Sequence, residues 1–154
     1  MSEAAIKFFF PTKIAFMQKE GPRTEVIKSL EYLAQALQEK KVKPAGPPMA
    51  ILDIDPKSFD PQKMKYEACC PISGKVKGET EIKGREIERG VYACLTHSGP
   101  AGQLPDTYTA LLKWIEENGY RINGPIREVY EKGIGQGGGN SPEFTIELQF
   151  PVRK

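Results

Sequence analysis

KIAFMQKEGP at residues 13–22 and VYACLTHSGP at residues 91–100 resemble each other in position and pattern. Each reads as a strand that runs into a Gly-Pro dipeptide, and each is followed by a second Gly-Pro at the same distance along the chain. The four Gly-Pro dipeptides therefore form two pairs with a constant offset of 78: Gly21-Pro22 with Gly99-Pro100, and Gly46-Pro47 with Gly124-Pro125. A fixed offset indicates an internal repeat. The sequence predicts one domain at 1–154, with repeats at about 5–76 and 79–154.

Each repeat contains the same predicted elements. A stretch with apolar residues at helical spacing follows the first Gly-Pro of each copy, at 25–40 and again around Tyr108, Leu111 and Ile115. Strands are predicted at 5–10, 13–19, 49–53, 65–72, 80–87, 91–97, 126–131 and 144–152. The expected fold class is α+β: duplicated strand-helix-strand-strand modules with pseudo-twofold symmetry, an antiparallel sheet, two main helices and a central cleft.

The segment GIGQGGGNS at 133–141 is rich in glycine. A phosphate-binding loop opens into a helix N-terminus, whereas this segment leads into a predicted strand. The pattern indicates a hairpin connection, which could also act as a flap.

The composition excludes several classes of protein. Hydrophobic residues make up 39% and charged residues 27% of the chain, which excludes a disordered protein. No apolar run approaches the roughly 20 residues of a membrane span, and no signal peptide is recognisable. The formal net charge is +2 and the basic residues are scattered, which argues against direct binding of nucleic acid. We expect a cytoplasmic protein with no membrane partner.

The three cysteines and the single histidine, His97, lack the spacing of a metal site or a disulfide framework. We therefore expect no metal and no cofactor. One histidine without a serine in a nucleophile elbow also gives little support to a catalytic triad.

Candidate functional residues emerge where the two copies differ. Residues that bury the same face should be alike in both copies, so a change of chemical type in one copy points to function. At four positions the second copy replaces an aliphatic residue with a carboxylate or a large aromatic ring: Glu128 for Ala50, Tyr130 for Leu52, Tyr92 for Ile14 and Trp114 for Ala36. All four are candidate ligand contacts, although a strand tyrosine is also a common packing residue.

Two of the candidates leave structural alternatives open. Trp114 lies on the flank of the apolar stripe of its helix, where an indole can line a cavity or close one side of the core. Glu147 lies between Ile146 and Leu148 on the polar side of its predicted strand. Its counterpart Glu67 suggests a shared structural role as readily as a binding role.

The order of these motifs resembles the gyrase-inhibitor-like family. The resemblance rests on a strand ending in THSGP, a helix with LLKWIEENGY, then GPIREVY and a final EFTIELQFPV, and it covers nearly the whole chain. The family comprises effector-binding domains of multidrug-responsive bacterial transcription activators, which also occur alone. It implies two modules around a cleft lined by aromatic residues, with an acidic residue that faces lipophilic cations. The resemblance places Glu128 at the acidic position and Tyr92, Trp114 and Tyr130 in the walls.

The resemblance implies three functional interpretations. With no room for a DNA-binding helix-turn-helix before Ala5 or after Val152, we expect a member that stands alone. The favoured interpretation is a module that binds small amphipathic compounds, lipophilic and cationic or aromatic. The second is a hydrolase of cyclopropane-bearing or similar electrophilic compounds, with Glu128 and Glu147 as general acid and base across one cleft. The third is a protein that docks on a larger partner such as DNA gyrase. Haem-binding relatives share the fold, but His97 alone gives little support to an axial ligand.

Overall fold

The computed structural model of the chain describes residues 3–76, 81–132 and 144–154. Its first half contains β1 (Ala5–Phe9), β2 (Thr12–Gly21), α1 (Arg23–Glu39), β3 (Lys43–Pro44), β4 (Met49–Leu52) and β5 (Met64–Ser73). Its second half contains β6 (Lys83–Ile87), β7 (Gly90–Gly99), a 3-10 turn (Ala101–Gln103), α2 (Leu104–Glu117), β8 (Arg121–Ile122), β9 (Ile126–Lys132) and β10 (Phe144–Arg153). The predicted glycine-rich connection lies outside the described residues.

The α+β class, with two helices and a large antiparallel sheet, is confirmed. The starts of several strands lie at or near the spacing of the Gly-Pro dipeptides. β2 and β7 begin at residues 12 and 90, and β3 and β8 begin at residues 43 and 121, so both pairs are offset by 78. β5 and β10 begin at residues 64 and 144, an offset of 80. The two-residue strands β3 and β8 were not predicted, because they are too short to show a pattern.

Within the described residues, the strands form one sheet whose main path is β1-β7-β10-β9-β4-β5-β2-β6, with β3 beside β5 and β8 beside β10. Every pairing along it is antiparallel. β1 pairs with β7 of the second half, and β6 pairs with β2 of the first half. Each half therefore gives its first strand to the other half.

The sheet curves until its two ends approach each other. β1 lies at one end of the strand order and β2 lies next to the other end, yet only Phe10 and Pro11 separate them. Consecutive Cα atoms are about 3.8 Å apart, so the Cα atoms of Phe9 and Thr12 can be at most about 11 Å apart. The helix-free face of this curved sheet holds a small apolar cluster of its own: Ile14, Phe16, Met49, Cys69, Ile87 and Val129.

Both helices pack on the other side, which we call the helix face of the sheet. Their buried residues recur every three or four positions: Val26, Leu30, Leu33 and Leu37 in α1, and Leu104, Tyr108, Leu111 and Ile115 in α2. α2 ends just before Gly119, whose φ of +77° suits a glycine after a helix. In the strand order, β4 of the first half pairs with β9 of the second half, so the two halves meet at these central strands. Neither helix that the structure describes combines the length and apolar content needed to cross a lipid bilayer.

Candidate functional site

Glu128 lies at the centre of the sheet, on its helix face. β9 pairs with β4 in a register that sets Glu128 opposite Ala50. The alternation of the strand places Ile126, Glu128 and Tyr130 on the same side. Ile126 and Tyr130 belong to the large apolar core between the sheet and the two helices. The Glu128 residue is 0% exposed. A carboxylate removed from water in this way requires charged and hydrogen-bonding partners.

The partners of Glu128 come from three different elements. The Tyr130 hydroxyl donates to Oε1 at 2.6 Å, and the Tyr108 hydroxyl of α2 donates to Oε2. The Arg23 guanidinium spans both oxygens, with Nη2 at 2.5 Å from Oε2 and Nε at 3.4 Å from Oε1. Each carboxylate oxygen therefore accepts from two donors, and a buried charge is neutralised in place.

Arg23 is positioned by the first Gly-Pro dipeptide. Pro22 is the N-cap of α1, so Arg23 is the first residue of that helix. The partial positive charge of a helix N-terminus disfavours a cation there. The ion pair with Glu128, which is distant in sequence, opposes this effect and anchors the start of α1.

The electrostatics keep Arg23 and the two phenols of the site protonated. Burial raises the pKa of Tyr108 and of Tyr130 well above the ordinary value, and the negative charge of Glu128 raises both pKa values further. Burial is the largest influence on the pKa of Arg23 and lowers it, but the charge of Glu128, its hydrogen bond and the neighbouring tyrosines together raise it more, and the net shift is upward. Both phenols therefore remain hydrogen-bond donors, and Arg23 remains a cation.

A cleft of about 480 Å³ opens beside this cluster, between the start of α1, the β4–β5 loop and the first half of α2. Ligand cavities in proteins are typically about 300–1,000 Å³. Its walls are mainly apolar, with polar groups at intervals: Arg23, Pro56, Lys57, Phe59, Pro61, Leu104, Pro105, Tyr108, Thr109 and Leu112. Because Glu128 binds two of these residues, it lies directly behind the cleft wall.

The β4–β5 loop supplies one side of the cleft and is folded by two aspartates. Oδ1 of Asp55 accepts the backbone N–H of Lys57 at 3.0 Å, and Oδ1 of Asp60 accepts that of Gln62 at 2.9 Å. Such turns hold short loops in one conformation. Between them Phe59 projects onto Tyr108, with 6.1 Å between the ring centroids. In the described part of the chain, no group of His, Cys, Asp and Glu residues could hold a metal ion.

The structure brings Glu128 and Tyr130 together but places Tyr92 elsewhere. Ala93 belongs to the main core, so its neighbour Tyr92 points to the helix-free face. There the Tyr92 ring packs beneath the Arg127 guanidinium, whose central carbon is 3.9 Å from the ring centroid. Tyr92 therefore does not line the cleft beside Glu128.

Glu147 also lies on the helix-free face, where it pairs across β10 and β9 with Val129. Its carboxylate accepts from Lys7 Nζ and from Gln149 Nε2, both at 2.6 Å. The two glutamates expected to act across one cleft are thus on opposite faces of the sheet. Strand alternation gives the reason, since residues that face the core and residues that face away belong to different surfaces.

The counterpart of the Lys7–Glu147 ion pair occurs in the other half. The offset of 78 relates Lys7 to Arg85, the offset of 80 relates Glu67 to Glu147, and Arg85 forms an ion pair with Glu67. In both cases the cation stands on an exchanged strand and the glutamate on the closing strand of the other half. Glu67 and Glu147 therefore have the same structural role, because each forms an ion pair that joins the two halves.

Trp114 lies on the flank of α2 opposite the cleft. Successive helical residues are about 100° apart, so Trp114 lies about 200° round from Leu112, which lines the cleft. Its indole stacks on Tyr120, with 6.2 Å between ring centroids and 9° between the ring planes. Trp114 closes one end of the core, and the expectation that it lines the cleft does not hold.

The GyrI-like small molecule binding domain family matches residues 3–153. The chain belongs to this family. This GyrI-like domain is similar to the crystal structure of the EcmrR C-terminal domain at 25% identity, with a TM-score of 0.87 and coverage of 99% of this chain and 98% of that one. It also matches EcmrR in the cryo-EM structure of an EcmrR–DNA complex, at 24% identity and a TM-score of 0.87, where 99% of this chain spans 57% of that chain.

A more distant solved structure was determined with a ligand. SAV2435 bound to tetraphenylphosphonium shares 9% identity with this GyrI-like domain, with a TM-score of 0.62 over 99% of this chain and 94% of that one. At this identity the likeness shows the fold alone. No curated protein sequence matches the chain.

Two residues of the candidate site, Arg23 and Tyr108, are not among the residues that the sequence singles out. The helical pattern predicts only a core position for Tyr108. The offset of 78 sets Tyr108 against Leu30 and Arg23 against Ala101. The comparison that found Glu128 therefore contained the signal for both.

Proposed function

We propose that this domain binds a lipophilic cation with aromatic surface in the cleft between the two repeats, next to Glu128. The observation that carries the proposal is a fully buried carboxylate placed directly behind the wall of an aromatic and proline-lined cleft. Membership of a family of small-molecule-binding domains supports a ligand as the purpose of this cleft. The three cysteines are unpaired, which fits the reducing cytoplasm that we propose as its compartment.

The chemistry of the walls favours a cation over a neutral or anionic compound. The faces of Phe59 and Tyr108 attract a cation by about 0.5–2 kcal/mol each, more strongly as water is excluded. The negative charge of Glu128, which Arg23 neutralises in the ligand-free protein, adds attraction for a ligand cation that takes the place of this partner. The same ring faces repel an anion of the same shape, so the rings discriminate by charge as well as by shape.

Tetraphenylphosphonium is the natural first probe. SAV2435 holds this cation on the same fold, which supports its use here without assigning it as the ligand of this protein. Tetraphenylborate is its isosteric anion and provides a control that differs in charge alone.

Calorimetric titration of both compounds tests the proposal. We expect saturable binding of tetraphenylphosphonium, no binding of tetraphenylborate, and weakening by at least about tenfold in Glu128→Gln, which corresponds to about 1.4 kcal/mol. Glu147→Gln is the matched control, because it removes a carboxylate on the other face of the sheet. Equal binding of cation and anion, or equal losses in the two variants, would contradict a cation site at Glu128. Each variant is first compared with the parent by circular dichroism.

A further inference from the structure

Arg23 occupies the place that a cationic ligand would need. Its Nη2 and Nε contact the two oxygens of Glu128 at 2.5 Å and 3.4 Å, and the two tyrosine hydroxyls take the remaining positions. A carboxylate with four donors is saturated. A ligand in the cleft can bind Glu128 directly only if one of these donors leaves.

Of the four residues in the cluster, Arg23 is the one that can leave most easily. Glu128, Tyr130 and Tyr108 are 0%, 1% and 5% exposed, which fixes them in the core. The Arg23 side chain is 18% exposed and lines the cleft itself. Its long stem can rotate toward water without moving the backbone, and water would stabilise the released guanidinium.

Neither helix geometry nor the repeat explains why an arginine stands at this position. A cation at the first residue of α1 opposes the helix dipole. The offset of 78 relates Arg23 to Ala101, which begins the 3-10 turn that precedes α2, so no arginine stands at the corresponding point of the second half. The ion pair with Glu128 is therefore the interaction that accounts for an arginine at this position.

We infer that Arg23 is an internal competitor for the cation site, and that a ligand binds by displacing its guanidinium from Glu128. This inference rests on the proposed function and adds a ligand class to it: aromatic amidines and guanidines. Their planar N–H groups can replace both bonds that Arg23 makes to the carboxylate. A quaternary cation supplies charge but no N–H donors, and leaves the carboxylate oxygens without replacements. Arg23 thereby selects for ligands that reproduce its own hydrogen bonds.

The test compares the parent protein with Arg23→Ala and Arg23→Gln, using benzamidine and phenyltrimethylammonium as probes in calorimetric titrations. The two probes are aromatic cations of similar size, and only benzamidine carries N–H donors. Lys28→Gln is the matched control, since it removes one positive charge from the exposed side of the same helix. If the Arg23→Ala variant does not fold, Arg23→Gln replaces it in the test, because the glutamine amide can still donate a weaker hydrogen bond.

We expect both Arg23 variants to bind benzamidine more tightly than the parent protein by at least about tenfold. In these variants the Arg23 guanidinium no longer occupies the Glu128 carboxylate for most of the time. The Lys28→Gln variant should bind as the parent does. The preference for benzamidine over phenyltrimethylammonium should be present in every protein that retains Glu128.

Three other results would contradict the inference, and they differ in what they imply. If the parent binds the cations and the Arg23 variants bind them equally or more weakly, Arg23 does not compete, while the proposed function stands. If no folded protein of the series binds either probe or tetraphenylphosphonium, the proposed function fails and the inference fails with it. A preference for phenyltrimethylammonium would exclude the amidine class.

Discussion

Glu128 and Ala50 face each other across the two central strands, and they are also the two residues that the sequence offset of 78 relates. The register is symmetric about this pair, since Met49 lies opposite Val129 and Ile51 opposite Arg127. A pseudo-twofold axis therefore passes between Ala50 and Glu128. A strictly symmetric fold would place two glutamates side by side here, and like charges repel each other directly across a sheet. The site can therefore hold one buried carboxylate only because the two halves carry different residues at this position.

Ala50→Glu should therefore be strongly destabilising. The second carboxylate would be buried beside the first with no cation of its own, and an uncompensated buried charge costs about 3–5 kcal/mol. Urea denaturation gives the free energy of unfolding. Ala50→Gln is the control with nearly the same volume and no charge, and it should cost clearly less. Equal losses in the two variants would show that size, and not charge, keeps alanine at the axis.

Arg23 and Glu128 should be strongly coupled in a double-mutant cycle. In Glu128→Gln and in Arg23→Ala the remaining partner lacks its counter-ion, so the double variant should lose less than the sum of the single losses, by about 1–3 kcal/mol. The free energies of unfolding in urea supply the cycle. The exposed pair Lys28 and Glu25, with N and O 3.8 Å apart, should give a coupling close to zero. Additive losses for Arg23 and Glu128 would mean that their ion pair contributes nothing to the fold.

The tyrosines of the site predict how stability changes in alkali. Tyr108 and Tyr130 have pKa values raised in the folded protein by burial and then by Glu128, so the unfolded chain loses their protons first. The stability that these phenols contribute is complete below their unfolded pKa of about 10 and falls as the pH rises above it. Each should contribute a slope of up to about 1.4 kcal/mol per pH unit.

Tyr130→Phe and Tyr108→Phe should each make this alkaline decline shallower by about one proton. Urea unfolding measured at steps between about pH 9 and about pH 11 gives the slope. Tyr32→Phe is the comparison variant: the hydrogen bond to Glu81 also raises the pKa of Tyr32, but Tyr32 is 53% exposed, so its substitution should change the slope less. An unchanged slope in both site variants would contradict the burial of the phenols beside a charge.

The cysteine thiols should be unreactive in the folded protein. Burial raises the pKa of Cys69 and of Cys70, and it raises the pKa of Cys94 to about 12. The thiolate is the reactive form, so its population at about pH 8 is very small. A colorimetric disulfide reagent should label no thiol rapidly under native conditions and all three in denaturant. Fast labelling of a native thiol would show that one of the strands opens to solvent.

Local pattern was sufficient to predict the α+β class, its two helices and its main strands, because each of these depends on spacing along the chain. It was not sufficient to predict the exchange of β1 and β6, since alternation in a strand does not reveal which strand lies beside it. The contact between Arg23 and Glu128 joins residues from opposite halves of the chain, which no short window contains. The same limit explains why Glu147 and Trp114 were expected at the cleft but lie away from it. The sequence pattern assigns each residue to one side of its strand or helix, and only the packing of that element shows which side faces the cleft.

The structure of the protein with a bound aromatic cation is the most direct test of a cation site at Glu128. Crystals grown with benzamidine should show the amidine within hydrogen-bond reach of the Glu128 carboxylate, at about 2.7–2.9 Å, with the ring against Tyr108 and Phe59. The Arg23 guanidinium should have moved out of the cluster into the cleft mouth. A ligand bound on the helix-free face beside Glu147, or in the cleft with no approach to Glu128, would contradict a cation site at this carboxylate.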